Sequence, residues 1–348
     1  MTRLLVIKPS SLGDVIHALP ALALIRRRLG ADLTRVSWIV NESFSDLLGL
    51  APGIDRIVKF PRKQIWKRGV IRSFKRVLQS EEYDVAIDFQ GLLRSGLMAY
   101  FSHAPRRIGF ADGREFSPLF YTEAISIAKG HAVEKNLQLA SAAFPDGNDV
   151  IHTPTGPLLA VPEEQLKNAR VKLDATDHTP VLAIGHSSRW NSKNWPVAFF
   201  AKVLDNVVKE REDTRCWLLG TASETKRAEA VAAACRIAKP LNFTGQSSMT
   251  ELAALLAAST VLLTNDSGPM HLAAALNVPT VALFGATNPN LTGPFGPTDF
   301  HTVFCSKCSE SPCFRHDCPY GESRCSEGTD PQTVALAILK KLNQSMET

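Results

Sequence analysis

The amino-acid sequence predicts an α/β protein built from two doubly wound, parallel-sheet domains that face each other across a cleft. Short apolar runs alternate with longer amphipathic segments along most of the chain, a pattern typical of repeated β–α–β units. The pattern occurs twice, and a looser stretch rich in proline and glycine, about residues 145–179, separates the two copies. The chain has 348 residues, which is enough for two domains of ordinary size.

The first half begins with an apolar run that is typical of a buried strand, followed by a polar loop and a long amphipathic segment. Parallel units of this kind leave their ligand sites at the carboxyl ends of the strands. The predicted strands are Leu4–Ile7, Val36–Val40 and Asp84–Phe89, and the predicted helices are Val15–Leu29 and about Leu92 to Ser102.

The second half repeats this scheme more clearly. Pro196 stands where a helix starts, and Ser247 or Ser248 precedes another helix as its cap. The predicted strands are Val181–Gly185, Cys216–Leu219, Val261–Thr264 and Thr280–Phe284, and the predicted helices are Pro196–Glu210, Glu224–Ala238, Met249–Ala258 and Gly268–Leu276.

These patterns give provisional domain limits. The first domain is placed at residues 1–160 and the second at residues 175–330. A last helix, within residues 331–348, is a candidate to pack back on the first domain.

The net charge is +5, which is only mildly basic and does not indicate a nucleic-acid partner. Seven cations nevertheless lie close together with Trp66 and Phe74 among them. Three interpretations stay open: a solvated helix face, a patch for membrane headgroups or phosphorylated lipid, and an RNA contact, for which no RNA-binding signature is present. The cations are Arg62, Lys63, Lys67, Arg68, Arg72, Lys75 and Arg76.

The sequence suggests a cytoplasmic protein. The apolar start is interrupted at once by Lys8 and Pro9, so it is too short for a signal core. The apolar run from Leu252 to Leu263 is well below the ~20 residues that a membrane span needs. We therefore expect a soluble protein or one that is peripheral to a membrane.

A polar loop, Lys8 to Asp14, follows the first predicted strand. Gly13 permits an unusual backbone conformation, and Asp14 stands where the next helix begins. As a helix cap, Asp14 would contribute ~1 kcal/mol. As a carboxylate at the mouth of the cleft it is suited to act as a general base, with His17 in support. The glycine spacings of a dinucleotide-binding loop and of a P-loop are both absent.

The loop His186–Pro196 joins a predicted strand to a predicted helix. It offers hydroxyl groups at Ser187 and Ser188, cations at Arg189 and Lys193, and the N-terminus of the helix that follows. All of these features favour a phosphate group.

The segment Thr264–His271 also turns from strand to helix. Asp266, Ser267 and Gly268 open the helix, and the free N–H groups of a first helical turn attract anions. His271 is either a ligand contact or a core histidine. The turn Phe284–Pro289 follows the next strand and would line the same cleft.

Seven cysteines are present, and Cys216 and Cys235 lie in apolar, core-like segments. The other five have the spacing C-x2-C-x4-C-x4-C-x6-C, which matches no standard zinc finger and holds one thiol more than four ligands require. Two interpretations stay open: a zinc or iron–sulfur site, and unligated thiols in a surface loop. The five are Cys305, Cys308, Cys313, Cys318 and Cys325.

Taken together, the chain resembles the ADP-heptose-using lipopolysaccharide heptosyltransferases, which belong to glycosyltransferase family 9 and have the GT-B fold of two Rossmann-like domains. The basic stretch, Gln90-Gly91-Leu92 and His131–Glu134 are most similar to heptosyltransferase I, whereas the cysteine-rich tail is more like heptosyltransferase II. The matching segments are Lys8–Asp14 with the helix after it, Tyr83–Leu92, His131–Glu134, Ser187–Pro196, Thr264–Leu272 and Leu283–Pro289.

The resemblance implies roles for individual residues. Asp14 matches the catalytic base, Lys193 matches a lysine that contacts the donor diphosphate, and Glu224 falls where a glutamate holds the adenosine ribose. The residues implied for the donor are Ser187, Ser188, Lys193, Glu224, Asp266, Ser267, Gly268 and His271, and those implied for the acceptor are Ser11, Gly13, Arg62, Lys63 and Lys67.

The resemblance also implies the reaction. Heptose would pass from ADP-heptose to the lipopolysaccharide inner core, either to Kdo of Kdo2-lipid A or to the first heptose, by an inverting single displacement. The enzyme would work at the inner face of the cytoplasmic membrane, with no nucleic-acid partner. The scheme requires no metal, although Asp266 beside a diphosphate is also a candidate Mg²⁺ ligand.

Three alternatives remain at the level of sequence. One is another nucleotide-sugar transferase or an epimerase on the same two-domain frame. A nicotinamide-dependent dehydrogenase is a second, although the missing glycine fingerprint argues against it. The third is a non-catalytic module that binds a nucleotide or a lipid.

Overall fold

A computed structural model of the chain describes residues 1–64, 67, 69–146, 156–297, 299–321, 324–326 and 328–344. The chain divides into two compact units, Met1–Pro154 and Thr155–Thr348. The division falls inside the proline- and glycine-rich stretch of the sequence.

Parallel strands form the sheet of the first unit. In chain order they are β1 (Thr2–Ile7), β2 (Thr34–Asn41), β3 (Arg56–Phe60), β4 (Val85–Asp88), β5 (Arg106–Phe110) and β6 (Glu123–Ile125). Across the sheet their order is β3-β2-β1-β4-β5-β6, and each neighbouring pair is parallel. The parallel sheet that the sequence predicts is therefore confirmed for this unit.

Helices connect these strands. They are α1 (Leu12–Ile16), α2 (Leu19–Leu29), α3 (Ser45–Leu48), α4 (Val70–Gln79), α5 (Leu93–Phe101) and α6 (Ala132–Ala143). The single helix predicted for Val15–Leu29 is wrong, because α1 ends at Ile16 and α2 begins at Leu19. Pro20 explains the break, since a proline has no N–H to donate and its ring clashes with the carbonyl four residues earlier.

The core of the first unit lies around β1. Leu4, Leu5, Val6 and Ile7 have no exposed surface. A parallel strand with both faces covered has a continuous apolar sequence rather than an alternating one. This is why β1 could be located from the sequence.

Parallel strands also form the sheet of the second unit. They are β7 (Val181–Gly185), β8 (Arg215–Leu219), β9 (Leu241–Asn242), β10 (Val261–Asn265), β11 (Thr280–Phe284) and β12 (His301–Cys305). Their order is β12-β11-β10-β7-β8-β9. Numbered from β7 onward, this is the same order as in the first unit, so the chain contains one sheet topology twice.

The helices of the second unit are α7 (Glu163–Lys172), α8 (Val197–Glu210), α9 (Thr225–Ala234), α10 (Met249–Ala257), α11 (Gly268–Ala275), α12 (Pro289–Thr292) and α13 (Pro331–Gln344). Pro196 is the N-cap of α8 rather than its first residue. Ser248 is the N-cap of α10, and its hydroxyl accepts the N–H of Glu251, which confirms one of the two predicted caps.

The helix predicted for Glu224–Ala238 is too long at both ends. Glu224 lies in a 3₁₀ turn before α9, and its carboxylate accepts the N–H of Thr221. After Ala234 the chain leaves the helix. The N–H groups of the next residues bond to the carboxylate of Asp205 instead of to helix carbonyls, and they belong to Arg236, Ile237 and Ala238.

The last helix, α13, contributes to the core of the second unit. Val334, Ala335, Ile338 and Leu342 are buried there with α8 and with strands of the sheet. The contact with the first domain that the sequence suggests for this helix stays a prediction.

Both sheets reverse their strand order at one place. In the first unit this is between β1 and β4, and in the second it is between β7 and β10. At such a switch point the connections on either side lead away in opposite directions, which leaves a crevice at the carboxyl ends of the strands. The polar loops identified from the sequence lie at these two places.

Helix lengths bear on membrane insertion. Among the described residues, no helix is both long and apolar enough to cross a bilayer.

A close approach at Gly109 in β5 makes the fold testable. A Cβ atom at this position would lie 2.3 Å from the ring of Tyr121. We expect Gly109→Ala to lower the free energy of unfolding by about 2 kcal/mol, because overpacking forces the ring or the strand to move. Urea or thermal unfolding measures the change. Gly156→Ala is the matched control, since its methyl group would meet nothing within 4 Å; equal stabilities for the two variants would contradict the prediction.

Candidate functional site

A cavity of about 320 Å³ lies at the switch point of the first unit. Lys8 follows β1 at its edge, and Phe89 and Gln90 follow β4. Positively and negatively charged side chains both line the cavity, so the cavity suits a polar ligand. The lining residues are Lys8, Asp14, His17, Phe89, Gln90, Gly91, Phe110, Asp112, Gly113, Arg114, Ala132, Lys135 and Asn136.

Asp14 lies in the first turn of α1, where its side chain is held by Ser11. The backbone N–H and the hydroxyl of Ser11 both donate to Oδ2 of Asp14, at 2.8 and 2.7 Å. Ser11 is the N-cap residue, so Asp14 is not the cap that the sequence offered as one interpretation. This arrangement fixes the carboxylate at the edge of the cavity.

Lys8 is a buried cation with 7% of its surface exposed. Its ammonium donates to the carbonyl of Phe89 at 2.7 Å, which joins the ends of β1 and β4. Burial lowers the pKa of Lys8, while the nearby carboxylates of Asp14 and Asp88 act in the opposite direction. The cavity floor therefore carries a cation that is poorly solvated.

Asp88 is fully buried at the end of β4. Tyr121 donates its hydroxyl to Oδ2 at 2.6 Å, and the N–H groups of Gln90 and Gly91 bond to Oδ1. Burial raises the pKa of Asp88, and these hydrogen bonds oppose the rise. The carboxyl group thus fixes the Gln90–Gly91 turn that lines the cavity.

Two histidines lie beside the cavity. The ring of His17 meets the ring of His131 edge to face, with the centroids 5.5 Å apart. His131 is the N-cap of α6, where its Nδ1 accepts the N–H of Val133. Asn136, one turn into α6, donates to the backbone carbonyl of His17 at 2.9 Å. The segment His131–Glu134 that carries the family resemblance therefore builds one wall of this site.

In the second unit, an ion pair joins the two segments that the sequence singles out. Nζ of Lys193 lies 2.6 Å from Oδ2 of Asp266, and the side chains are 14% and 6% exposed. The hydroxyl of Thr287 donates to the same oxygen at 2.6 Å. Trp190 covers Lys193, with the ammonium 4.4 Å from the ring centroid. Three loops after β7, β10 and β11 thus meet at one carboxylate.

The loop after β7 is fixed by its own hydrogen bonds. The N–H of Ser188 donates to the side chain of Asn194 at 2.7 Å, and its hydroxyl donates to the carbonyl of Asp266 at 3.1 Å. Ser187 next to it is half-buried. Hydroxyl groups and a cation are therefore held together at the end of β7.

Helix α11 begins directly beside this loop. Ser267 is its N-cap with an extended backbone, and Gly268 and Pro269 form the first turn. The hydroxyl of Ser267 lies 3.3 Å from the hydroxyl of Thr264. A Cβ atom at position 185 would collide with the side chain of Thr264, so Gly185 leaves room for this threonine. His271, in the same helix, is 8% exposed. The N-terminus of α11 supplies the positive end of a helix dipole at the switch point.

Glu224 lies close to the end of β7 as well, and its charge acts on the ring of His186. His186 is fully buried, and burial lowers its pKa to about 4, so its ring is neutral at pH 7. Arg227 donates to the carbonyls of His186 and Trp195 and so holds the loop from one side.

Two of the basic residues predicted for the acceptor, Arg62 and Lys67, lie outside the cavity lining. Arg62 and Lys67 are exposed, and Ser11 and Gly13 lie in the Asp14 loop. The side chain of Lys63, and residues Trp66 and Arg68, fall outside the described part of the chain.

All seven cysteines lie in the described part, and each has a free thiol. Burial raises the pKa of Cys325 to about 11, and the neighbouring thiols of Cys318, Cys313 and Cys308 add to this. Within the described ranges, no group of three or more His, Cys, Asp or Glu side chains is arranged to hold a metal ion. The metal interpretation of these thiols stays a prediction.

Several residues of the two sites were not singled out from the sequence. Tyr121 and Arg227 are examples, whereas Asp88 was noted only as part of a strand and Thr287 only as part of a turn. Asp88 and Thr287 each stand directly at or after a strand end, which is a signal that could have found them. Tyr121 and Arg227 act across long sequence separations and leave no local pattern.

The sequence and the fold of this chain are similar to those of known proteins. The sequence model of glycosyltransferase family 9 (heptosyltransferase) matches residues 71–323. Lipopolysaccharide heptosyltransferase 1 of Pseudomonas aeruginosa PAO1 is 33% identical over 91% of this chain and 88% of that protein. The structure of E. coli ADP-heptose lipopolysaccharide heptosyltransferase II superposes with a TM-score of 0.80, at 22% identity and 99% coverage of both chains.

A second solved structure, E. coli heptosyltransferase WaaC with ADP-2-deoxy-2-fluoro heptose, superposes with a TM-score of 0.73. It is 24% identical, with 99% of this chain and 100% of that chain covered. At these identities the two structural comparisons establish the fold, and they confirm the predicted pair of Rossmann-like domains.

The ion pair between Lys193 and Asp266 can be tested by removing one partner. In Lys193→Met, the nearly buried carboxylate of Asp266 loses its cation and keeps the hydrogen bond from Thr287. We expect a loss of about 3 kcal/mol in stability, because an uncompensated buried charge is strongly unfavourable. Calorimetry of the whole chain measures it.

The double variant Lys193→Met/Asp266→Asn is the control for this prediction. It removes the negative charge of Asp266 as well as the ammonium of Lys193, so most of the lost stability should return. A single variant that melts like the unaltered protein would contradict the importance of the pair.

Proposed function

The chain belongs to glycosyltransferase family 9 (heptosyltransferase), and we propose that it transfers L-glycero-D-manno-heptose from ADP-heptose to the lipopolysaccharide inner core. The observation that carries the proposal is the loop arrangement at the second switch point. Lys193, the hydroxyl of Ser188 and the N-terminus of α11 lie together there, and Ser187 precedes Ser188 in the same loop. Cation, hydroxyls and helix terminus are the groups that a diphosphate needs.

The donor is assigned to the second unit. An ammonium has three hydrogen-bond donors, so Lys193 can hold Asp266 with one and a phosphate oxygen with another. The N–H of Gly268 and the hydroxyl of Ser267 add donors at the start of α11. Glu224 is proposed to hold the ribose, and His271 to contact the donor from within α11.

The acceptor is assigned to the first unit. Its cavity carries Lys8, Arg114 and Lys135, which suit the carboxylates of an acidic sugar such as Kdo. Ser11 and Gly13 belong to the loop that holds Asp14 at the same cavity. Arg62, Lys63 and Lys67 are proposed to contact acceptor phosphates outside it.

The proposed chemistry is a single displacement with inversion at the anomeric carbon. The acceptor hydroxyl oxygen forms a bond to that carbon while the bond from the carbon to the β-phosphate oxygen of ADP breaks. Asp14 takes the hydroxyl proton. The leaving ADP gains negative charge, which Lys193 and the α11 N–H groups stabilise, an effect worth a few kcal/mol for each well-placed donor.

Mg²⁺ is not needed in this scheme. Oδ2 of Asp266, the carboxylate that would stand beside the diphosphate, is already bonded to Lys193 and Thr287. Lys193 supplies the positive charge that a metal ion would otherwise bring. We therefore propose that heptose transfer needs no metal ion. This proposal does not concern metal binding by the C-terminal thiols.

The place of work follows from the acceptor. An inner core that is built on lipid A is anchored in a membrane, so we propose that the enzyme is cytoplasmic and attaches peripherally to the inner face of the cytoplasmic membrane. Exposed cations such as Arg62, Lys67, Arg72 and Arg76 suit an anionic leaflet.

Asp14→Asn tests the assignment of the base. General-base catalysis contributes typically 10²–10⁴-fold, so we expect kcat to fall by about that factor. ADP affinity should stay unchanged, because the donor groups lie in the other unit. Steady-state kinetics and calorimetric ADP titration measure the two effects.

Asp46→Asn serves as the control for Asp14→Asn, since Asp46 is an exposed carboxylate of the first unit. Its kinetics should match those of the unaltered protein. If Asp14→Asn retained near-normal turnover, Asp14 would not be the base.

ADP release from ADP-heptose tests the function itself. The 33% identity to a heptosyltransferase 1 favours Kdo2-lipid A as acceptor over the same core already carrying one heptose. We expect release to be about tenfold faster, or more, with Kdo2-lipid A. The rate should persist in EDTA. Absence of ADP release with either acceptor would contradict the proposed function. Loss of ADP release in EDTA would show that the reaction needs a metal ion.

A further inference from the structure

In the first unit, α4, α5 and the turn after β5 carry most of the exposed large hydrophobic side chains among the described residues. In the described part of that unit, seven large hydrophobic side chains are exposed, and one of them is the terminal Met1. Scattered single residues of this kind are normal, but a grouping of them marks an interaction site. The other six belong to α4, α5 and the turn after β5: Ile71, Val77, Leu93, Tyr100, Phe116 and Leu119. We call this surface the α4–α5 face.

These three elements are in direct contact. The ring of Tyr100 on α5 meets the ring of Phe120 in the turn, with the centroids 6.1 Å apart. On the other side of α5, Nζ of Lys75 on α4 lies 4.7 Å from the ring centroid of Phe101. The elements that carry the apolar side chains are therefore neighbours in the fold.

The turn holds its apolar side chains outward in an unfavourable backbone. Glu115 and Phe116 both have left-handed backbones, with φ of 57° and 63°, which bulky residues rarely adopt. The carboxylate of Glu115 accepts the N–H of Leu93 at 3.2 Å, which keeps the turn in place. Phe116 and Leu119 are 78% and 79% exposed. Local strain that exposes apolar rings to water is a sign of function rather than of stability.

The charges on the same face are mainly positive. Arg72 and Arg76 are exposed on α4. Arg107 lies over the ring of Tyr100, with its guanidinium carbon 6.0 Å from the centroid, and donates to the carbonyl of Phe120 at 3.0 Å. Apolar side chains interleaved with cations match a bilayer surface that has anionic headgroups.

The face also borders the acceptor cavity. Gly91 and Arg114 both line the cavity, and the N–H of Arg114 donates to the carbonyl of Gly91 at 2.9 Å. Leu93 and Phe116 each follow two residues later on the α4–α5 face. A membrane-anchored acceptor and this face are therefore adjacent.

We propose that the α4–α5 face docks the protein on an anionic phospholipid bilayer, with Phe116 and Leu119 entering the headgroup region. The inference rests on the proposed function in one respect, namely that the acceptor is lipid-linked. Two weak contributions act together here, apolar insertion and electrostatic attraction, because neither alone gives stable attachment.

Vesicle flotation of the full-length protein tests the docking face. The vesicles are phosphatidylcholine, alone or mixed with phosphatidylglycerol, and no substrate is present. Wild-type protein should float with the mixed vesicles. Phe116→Ser/Leu119→Ser should lower the partition coefficient by about tenfold or more, because two apolar side chains no longer leave water.

The control variant changes two exposed apolar residues of the second unit. Val171 and Leu336 are 79% and 58% exposed, and Val171→Ser/Leu336→Ser should float like the wild type. A second pair checks the charge: Leu119→Glu should bind mixed vesicles more weakly than Leu119→Lys. Equal flotation of the Phe116/Leu119 variant and the wild type, or equal loss in the control, would overturn the proposal.

Activity assays separate this inference from the proposed function. With a water-soluble, de-acylated acceptor, the Phe116/Leu119 variant should release ADP at the wild-type rate, and with acceptor embedded in vesicles it should be slower. Slower release with both acceptors would place these residues in the acceptor site instead. If the protein binds vesicles but transfers no heptose, the docking proposal stands and the proposed function is contradicted. Loss of a dimer, with no vesicle binding by wild type, would assign the face to self-association.

Discussion

The reversal of strand order in each sheet is the constraint on which the rest of this protein depends. Parallel strands all end at the same edge, and between β1 and β4, and between β7 and β10, the flanking connections diverge. The edge is open there, so the loops that follow these strands face solvent. A polar loop at such a place need not be buried against a helix, which is why both sites of this chain occupy it.

The two sites solve the burial of charge in different ways. Lys193 is paired with a carboxylate at 2.6 Å, so attraction between unlike charges offsets the loss of hydration. Lys8 bonds instead to the backbone carbonyl of Phe89, and burial lowers its pKa. A fixed ion pair suits the binding of a diphosphate, which is anionic in the donor and gains a further negative charge as ADP leaves. A less compensated cation among carboxylates suits a place where a proton moves.

Much of the fold could be predicted because buried parallel strands leave an unmistakable apolar run. The strands Val181–Gly185 and Thr280–Phe284 lie at the residues that the sequence indicates. The strands that were missed include edge strands and strands with exposed cations, such as Arg56–Phe60 and Arg106–Phe110. Partial exposure admits polar residues, which removes the apolar signal.

The candidate site was predictable in part for a similar reason. The loops that contain Asp14, Lys193 and Asp266 could be found, because each directly follows an apolar run. Their partners could not, since a side-chain contact between residues 73 positions apart depends on strand order and loop shape. The hydroxyl of Thr287 and the ring of Tyr121 reach their carboxylates only after the chain has folded.

The exposed apolar side chains of α4, α5 and the turn after β5 have a physical explanation if the first unit handles a lipid-linked acceptor. A lipid-linked acceptor stays in a membrane, and its enzyme finds it sooner when both are confined to that surface. The left-handed backbones of Glu115 and Phe116 fit the proposed docking, because the turn that they form leaves the ring of Phe116 exposed. In the proposed docking, Arg72, Arg76 and Arg107 would attract anionic headgroups strongly enough to retain the enzyme and weakly enough to release it.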